Sequence, residues 1–377
     1  MTGVYHFRGS VADLAELQAI ENPAEGDVYN ISDTGMNAAW TGSVWDEFGT
    51  TVDLTDYAKL EDIQAIAIAR INEILFSGKT AVVNDAAAIN AMLANNEEEV
   101  EITLNKNLTL GSSISVPEGK SVTIDLGGNT LSGNNPLRVE GGELILKNGN
   151  ITAGNYGVIA TSGSVVEVDG ADITSTGNIA ISATEAEVVV NSGNITAQEC
   201  GIAGFKDSVI TINGGTFESW DNCPIMGNGS KAGSQNDGTN MNVVMNGGTI
   251  ISHIQSAGYI AAGVYVPNSG SFTMNGGEII SDGAGIVMRG GTVTLNGGSI
   301  QANGASGVKG KVGDSRVVVG PYAIVYDANS KYPAMDSLEL IINEGVELEG
   351  TDGALDVLLI DGVEANITDN TGLYYNA

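Results

Sequence analysis

Large apolar residues alternate with polar ones in a short segment that recurs along most of the chain. The segment at 210–217, Ile-Thr-Ile-Asn-Gly-Gly-Thr-Phe, returns in related form at 243–250, 272–279 and 293–300. Alternation with a period of two predicts a β-strand with one buried face. The Asn-Gly-Gly that follows predicts a corner, because glycine and asparagine tolerate positive φ. Each segment therefore predicts a strand, a corner and the start of a second strand.

The asparagine of this segment serves as the anchor of the repeat. Going backwards from Asn213, weaker copies follow at a constant step of about 22 residues, a length typical of solenoid repeats. The anchors are Asn105, Asp125, Lys147, Asp169, Asn191, Asn213, Asn246, Asn275, Asn296, Gly320, Asn343 and Asp361. A repeat of this length without helical periodicity is typical of a parallel β-helix. We expect about twelve coils, a rod of about 55 Å and a ladder of stacked asparagine side chains.

The same pattern predicts which residues form the core and which form the corners. Apolar residues stand one and three positions before most anchors, as in Leu144 and Leu146, and again four positions after them, as in Ile151. These should face the interior. The second glycine after an anchor should have positive φ in at least some coils, and these glycines are Gly215, Gly248, Gly277 and Gly298.

Residues 1–50 do not follow the repeat and predict a small α+β module. Strands are expected at 4–8 and 27–31, and a hairpin at 36–40 and 44–48. Ser10 and Asp13 resemble a capping box, followed by apolar residues at helical spacing. We expect the aromatic residues to form the core of the module, with a carbohydrate-binding face as the alternative: Tyr5, Tyr29, Trp40, Trp45 and Phe48.

The motifs of this module carry a resemblance to a known family. Tyr-His-Phe-Arg-Gly-Ser-Val at 5–11, Gly-Asp-Val-Tyr-Asn at 26–30, Asp-Thr-Gly-Met-Asn at 33–37 and Trp-x-Gly-x-x-Trp-Asp at 40–46 look like the N-terminal module of bacteriophage fibre and tail proteins. The resemblance implies attachment to other virion proteins, on a tail or a capsid, ahead of a variable C-terminal region. It is confined to this module.

Two helical segments are expected before the repeats. Residues 51–79 contain an apolar stripe from Tyr57 to Leu75 that is wider than a coiled-coil seam. We interpret it as an oligomerisation helix of a homotrimer, with packing against the same chain as the alternative. Residues 80–99 contain a second helix, with Asn84 as its N-cap, that should cover the open end of the first coil.

The repeats bear a second resemblance. The capping segment and Val-Thr-Ile-Asp-Leu-Gly-Gly-Asn-Thr at 122–130 resemble the pectate-lyase-like, right-handed parallel β-helix family over residues 80 to 325. This resemblance is architectural and brings no catalytic motif. We expect the rod to occupy 100–326, and 327–377 to form looser coils or a cap in which Leu373, Tyr374 and Tyr375 close the end.

Two neighbouring coils are longer than the others. The steps from Asn213 to Asn246 and from Asn246 to Asn275 both exceed the constant step, so insertions fall near 220–240 and 252–260. Insertions on adjacent coils emerge on one side of a solenoid and often form its interaction face. The insertions carry residue types that bind sugars through flat rings and directed hydrogen bonds: Trp220, Asn222, His253 and Tyr259. The alternative is loops that touch a neighbouring subunit.

Candidate catalytic residues are weak. Glu199 and Asp221 stand at the same offset after their anchors, so they should stack on adjacent coils, as a carboxylate pair for glycoside cleavage or a Ca²⁺ site would require. The simpler interpretation is two solvated acids. Arg138 and Arg289 are isolated and predict surface charges. We expect no cofactor and no metal site.

Composition limits the function further. Fifteen Lys and Arg oppose 46 Asp and Glu, a formal charge of −31, which argues against nucleic-acid binding. No apolar run is long enough to span a membrane, and the first residues lack the apolar core of a signal peptide. We therefore expect a protein made in the host cytoplasm and carried on the virion. In that compartment Cys200 and Cys223 should be reduced thiols, although a disulfide between neighbouring coils is conceivable.

These observations favour a mainly β phage fibre or spike that adheres to a bacterial surface, with a host glycan as the expected contact of the insertions. The first alternative is a polysaccharide depolymerase on the same β-helix. The second is a bacterial surface adhesin, which the missing signal peptide argues against.

Overall fold

The computed structural model describes residues 5–50, 80–83, 89, 93, 98–227, 240–253, 262–267, 269–308, 310–312, 317–329 and 338–376. The chain divides into two compact units, Met1–Glu73 and Ile74–Ala377. The predicted oligomerisation helix at 51–79 lies outside the described residues.

The described part of the N-terminal unit, residues 5–50, contains a four-stranded sheet and one short helix. Its strands are His6–Val11, Asp27–Ile31, Met36–Trp40 and Trp45–Thr50. The first two pair in parallel and the others form antiparallel pairs. The helix, Leu14–Gln18, is capped by Asp13, whose Oδ1 accepts from the backbone N of Glu16 at 2.9 Å, while Glu16 accepts from the backbone N of Ala12. The capping box predicted at Ser10 and Asp13 was wrong, because Asp13 itself occupies the N-cap and Glu16 reaches back to the residue before it.

The predicted aromatic core of this unit was wrong. Its interior is filled by Val11, Leu17, Ile31 and Ala38, and the rings lie around this small aliphatic core. The side chains of Tyr5 and Phe48 are 65% and 40% exposed and stack on each other at 5.5 Å. Trp45 packs against Tyr29 and Trp40, at 5.7 and 5.3 Å.

In the second unit the chain passes repeatedly through the same three rows of parallel strands. The first row contains Thr80–Val83, Glu99–Leu104, Ser121–Asp125, Glu143–Ala153, Val165–Ser175, Glu187–Ser192, Ser208–Ile212, Met241–Met245, Ser271–Met274, Gly291–Leu295, Leu338–Ile342 and Ile367–Asp369. The second row contains Leu108–Thr109, Thr130–Gly133, the later halves of Glu143–Ala153 and Val165–Ser175, Asn194–Ala197, Thr216–Ser219, Thr249–Ser252, Glu278–Ser281, Gly298–Ala302 and Val346–Gly350. The third row contains Ile114–Pro117, Leu137–Glu140, Val158–Thr161, Ile179–Thr184, Cys200–Phe205, Ile225–Gly227, Ala262–Val266, Ala284–Met288, Tyr322–Asp327 and Gly353–Leu358.

The pairing within each row follows the sequence repeat. Ile212 lies opposite Val190 and Met245, and Phe217 lies opposite Ile195 and Ile250. The apolar residues predicted to face inward are fully buried throughout these coils. Long parallel sheets stacked in this way are consistent with a parallel β-helix. The predicted number of about twelve coils and the right-handed twist stay predictions.

The corner glycines behave as predicted. Gly215, Gly248, Gly277 and Gly298 all have positive φ, between 91° and 97°. A Cβ on Gly248 would lie 2.8 Å from the carbonyl oxygen of Gly215, the corresponding glycine of the coil before it. Glycine is therefore required here by the backbone conformation and by the close approach of the neighbouring coil.

The predicted asparagine ladder is confirmed. Each Nδ2 donates to the Oδ1 of the preceding rung, at 2.6–2.9 Å, along Asn191, Asn213, Asn246, Asn275, Asn296, Asn343 and Asn370. The first rung, Asn191, donates to Oε1 of Glu167 at 2.8 Å. All the amides thus point the same way, toward a carboxylate.

Three predicted anchors were wrong. Thr103, not Asn105, lies opposite Asp125. Asn343 follows Asn296 directly, because the segment around Gly320 contributes an antiparallel pair, Gly310–Val312 with Val317–Val319, and then enters the third row. The last rung is Asn370 and not Asp361. At the first coil the observed step from Thr103 to Asp125 is the ordinary one of 22 residues, whereas additional chain lengthens the step between Asn296 and Asn343.

The ends of the unit differ from the middle. Of the predicted capping helix, Ile89 and Leu93 are helical, and Ile89 is fully buried in the core. At the other end, the residues predicted to form looser coils or a cap, 327–377, contribute the strands Gly353–Leu358 and Ile367–Asp369 to the rows. The Tyr374 hydroxyl donates to the carbonyl of Val346 at 3.1 Å and contacts the backbone N of Leu348.

Candidate functional site

The second row of strands ends in a line of equivalent positions. Ser219, Ser252 and Ser281 are opposite one another, and the residues that follow are Trp220, His253 and Asp282. The backbone N of His253 donates to the carbonyl of Ser219, and that of Asp282 donates to the carbonyl of Ser252, both at 2.9 Å. The register of the coils therefore places three functional side chains side by side at one corner.

Trp220 and His253 stack on each other at this corner. Their ring centroids are 5.3 Å apart and their planes differ by 24°. Both residues are half-buried, so part of each ring faces solvent. Two side chains that the sequence predicted for binding, from successive coils of the repeat, are thus brought into contact.

Two carboxylates flank the imidazole ring of His253, and Glu218 is hydrogen-bonded to it. Nε2 of His253 lies 2.8 Å from Oε1 of Glu218, and since a carboxylate only accepts, Nε2 carries the proton in this contact. Nδ1 lies 3.5 Å from Oδ2 of Asp282. We refer to Glu218, Trp220, His253 and Asp282 as the corner cluster. Sequence reasoning missed Glu218 and Asp282; Asp282 stands at the same offset after its anchor as Trp220 and His253 do, so the repeat itself could have identified it.

The surface beside the corner cluster is partly aliphatic. Ile251 lies opposite Glu218, and Ile280 is the next residue along the same outer line. Both are half-buried, whereas the intervening Ile250 and Ile279 point into the core and are fully buried. The corner cluster and its surroundings combine ring faces, aliphatic surface and carboxylate acceptors.

The remaining predicted residues are placed differently. The side chain of Asn222 is used within its own turn, where Oδ1 accepts from the backbone N of Cys223 at 2.9 Å. Tyr259 lies outside the described residues. Asp221 accepts from Nε2 of Gln198 at 2.6 Å, and Glu199 is exposed on the preceding coil. The structure thus pairs Asp221 with an amide.

The corner cluster is poorly arranged for metal binding or hydrolysis. Its two carboxylates approach different nitrogens of His253, so the three groups do not converge on one point. Among the described residues there is no group of three His, Cys, Asp or Glu that could hold a metal ion. An inverting glycosidase needs a water between its two carboxyl groups. Here the imidazole ring occupies the space between Glu218 and Asp282.

Arg289 was predicted as a surface charge, and this was wrong. Its side chain is fully buried, and Nη1 donates to the Tyr265 hydroxyl at 2.7 Å. A buried guanidinium requires hydrogen-bond acceptors around it, which a sequence pattern cannot reveal. Arg138 remains a surface charge, 3.6 Å from Glu140.

Both cysteines are free and buried. Burial raises the pKa of the Cys200 thiol well above its usual range, with smaller contributions from Cys223 and Glu199. Burial also raises the pKa of Cys223. A thiol with a raised pKa is a poor nucleophile, and the two cysteines form no disulfide, as predicted.

Comparisons with known proteins add little. No known protein family and no curated protein matches the chain. Among solved structures, it is similar to "Geobacillus virus E2 - ORF18", with 12% identity and a TM-score of 0.25 over 94% of this chain and 75% of that one. A TM-score of this size does not distinguish a shared fold. None of the described helices is long and apolar enough to cross a membrane.

Proposed function

We propose that this chain is a structural protein of a phage virion, a fibre or spike that adheres to the bacterial surface. The N-terminal motifs at 5–46 support the attachment of the first unit to other virion proteins. The stacked coils of the second unit, as a right-handed β-helix, form the projecting part. The observation that carries the adhesive role is the stacked pair Trp220 and His253, presented at the corner where the coils are lengthened.

A surface glycan is the receptor that suits the corner cluster best. Aromatic faces and the aliphatic surface of Ile251 and Ile280 match the C–H faces of a sugar ring. Carboxylate oxygens of Glu218 accept hydrogen bonds from hydroxyls. The Nε2 proton of His253 is donated to Glu218, so it is not available to a ligand. The role of His253 is therefore to orient the Trp220 ring by stacking on it.

The test is binding of the labelled protein to a panel of bacterial strains. We expect Trp220→Ala to abolish attachment to every strain that the wild type binds, while the oligomer mass and the unfolding midpoint change little. Val209→Ala is the matched control, since Val209 is 41% exposed on a different row of strands. Unchanged attachment in Trp220→Ala would refute the role of this corner. A lowered oligomer mass would instead assign it to a subunit contact.

A depolymerase on the same scaffold is tested separately. Incubation with polysaccharide from a bound strain should release no new reducing ends, because His253 fills the gap between Glu218 and Asp282. If the wild type releases reducing ends and Glu218→Gln does not, the proposed function changes from adhesion to hydrolysis.

The homotrimer belongs to this proposal. The apolar stripe from Tyr57 to Leu75 supports an interchain helix, and each chain of the double variant Ile63→Asp, Ile71→Asp would bury unpaired charges. Light scattering should therefore give monomers for the variant and trimers for the wild type. A monomeric wild type would remove the trimer from the proposal.

A further inference from the structure

The corner cluster has a marked imbalance of charge. Glu218 and Asp282 belong to it, and Glu278 stands on the same outer surface, where its Oε1 accepts from Gln301 at 3.3 Å. Between residues 187 and 303, the described cations are Lys206 and Arg289. Arg289 is fully buried, and Lys206 follows the third row of strands, at a different corner. Lys231 lies outside the described residues.

We infer that the corner cluster selects its glycan by charge, taking neutral or amino sugars and rejecting sugars that carry carboxylate, sulfate or phosphate groups. This inference rests on the proposed adhesive function and names the class of its ligand. It follows from the carboxylates that lie around the stacked rings of Trp220 and His253. A ligand that covers Trp220 must approach the carboxylates of Glu218 and Asp282, because both lie beside the ring on which Trp220 stacks.

The energetic reason is desolvation. A sugar carboxylate placed at the corner cluster would lose hydration and meet two like charges, with none of the described cations to pair with it. A hydroxyl or an ammonium group has the opposite effect, since it donates to a carboxylate, and an ionised partner makes such a bond stronger. The carboxylate of Glu218 can accept several hydrogen bonds, of which Nε2 of His253 uses one.

The formal charge of −31 acts in the same direction over a longer range. It disfavours the approach of polyanionic polymers, and salt screens this repulsion beyond about 8 Å at physiological ionic strength. Contact selection at the corner cluster and long-range repulsion can therefore be separated by salt. Only the contact term should survive in high salt.

The experiment uses three defined probes with the full chain: dextran oligosaccharides, chitosan oligosaccharides and oligogalacturonate, which are neutral, cationic and anionic. Binding is followed by quenching of tryptophan fluorescence and by titration calorimetry, in low and high salt. We expect binding of a neutral or a cationic probe that weakens about tenfold in Trp220→Ala, a loss of about 1.4 kcal/mol. Oligogalacturonate should not bind at either salt concentration.

Two isosteric variants separate the charge of the corner cluster from that of the whole chain. Glu218→Gln should weaken chitosan binding about tenfold and dextran binding much less, because a neutral amide still accepts from hydroxyls. Glu347→Gln is the control; Glu347 is exposed and lies on the outer line that contains Glu278, two coils away. It should leave both affinities unchanged.

Each outcome has one meaning. Trp220-dependent binding of oligogalacturonate overturns the charge selection and leaves adhesion in place. Binding of none of the probes, with Trp220-dependent attachment to cells retained, overturns the assignment of a neutral or amino sugar but not the adhesive role. If the protein binds none of the probes and its attachment to cells does not depend on Trp220, the proposed adhesive function is refuted as well.

Discussion

The asparagine ladder allows a direct calculation of what one side chain contributes. Asn275 donates to Oδ1 of Asn246 at 2.9 Å and accepts from Nδ2 of Asn296 at 2.8 Å. Asn275→Ala removes both bonds, and a typical bond of this kind contributes about 0.5–1.5 kcal/mol net. The rungs are exposed, so water replaces part of the loss. We therefore expect a decrease of about 1–2 kcal/mol in the free energy of unfolding for the two bonds together.

The aspartate variant tests the direction of the ladder. In Asn275→Asp the carboxylate still accepts from Asn296, but it faces the acceptor oxygen of Asn246. Asn246 cannot turn its amide round without breaking its own bond to Asn213. The ionised form is therefore disfavoured, and the pKa of the new carboxyl should rise above its ordinary value of about 3.9. A raised pKa means stability that is present at low pH and is lost as pH rises through the folded-state value. Relative to wild type, Asn275→Asp should be most destabilised at neutral pH and should recover below about pH 4.

Urea unfolding followed by circular dichroism measures both effects. Asn303→Ala and Asn303→Asp are matched controls, because Asn303 is exposed in the coil of Asn296 but is not a rung. Equal midpoints for Asn275→Ala and Asn303→Ala would refute a stabilising ladder. A pH-independent difference between Asn275→Asp and wild type would refute its fixed direction.

Three further changes test other parts of the fold. Gly248→Val should lower the free energy of unfolding by about 1–3 kcal/mol, as measured by thermal unfolding. The reason is that φ is +91° and that the new Cβ would lie 2.8 Å from the Gly215 carbonyl oxygen. Gly307→Val is the control, because Gly307 also has positive φ but no atom lies near its Cβ position, so it reports backbone strain without the clash. Burial opposes ionisation of Asp369, but hydrogen bonds from Thr371, Tyr375 and Tyr374 outweigh it and lower its pKa to about 2. The ionised carboxylate therefore stabilises the fold above about pH 4, and this stabilisation should be lost as the pH falls through about 2. Asp369→Asn should flatten the stability curve in that window, and an unchanged curve would contradict this role. Tyr326→Phe leaves the Leu338 carbonyl and the Asn366 N–H without the tyrosine hydroxyl that bonds them. It should lower the free energy of unfolding in urea by about 1–3 kcal/mol. Tyr322→Phe is the control and should lower it less, because the ring of Tyr322 is only half-buried.

The regular coils could be predicted from the sequence because their positions repeat. The inward residues, the corner glycines and every rung of the ladder except the last follow from the recurrence of the same short segment, at a nearly constant step in the early coils and at longer steps after Asn213. The prediction was wrong where length varies. Gly320 and Asp361 were predicted as anchors from their distance along the chain. Strand pairing depends instead on which segments can add to a row, and the rungs that follow Asn296 are Asn343 and Asn370.

The candidate site was predictable only in part. Trp220 and His253 are rare residue types at equivalent positions of two lengthened coils, so their contact follows from the register. Glu218 is one acid among 46 Asp and Glu residues, and its contact with His253 depends on a side-chain direction that no spacing specifies. The burial of Arg289 depends in the same way on what covers the third row.

The third row of strands differs along its length. Leu137–Glu140 alternates between buried and partly exposed residues, whereas Ala262–Val266 and Ala284–Met288 are buried on both sides. Backbone amides in the latter two strands are shielded from water on both faces of the sheet, so their hydrogen exchange should require the largest opening of the unit. Coils at either end can fray and rejoin while this segment stays closed. Resistance of this unit to proteases would then depend on its central coils and not on how tightly its end coils are packed.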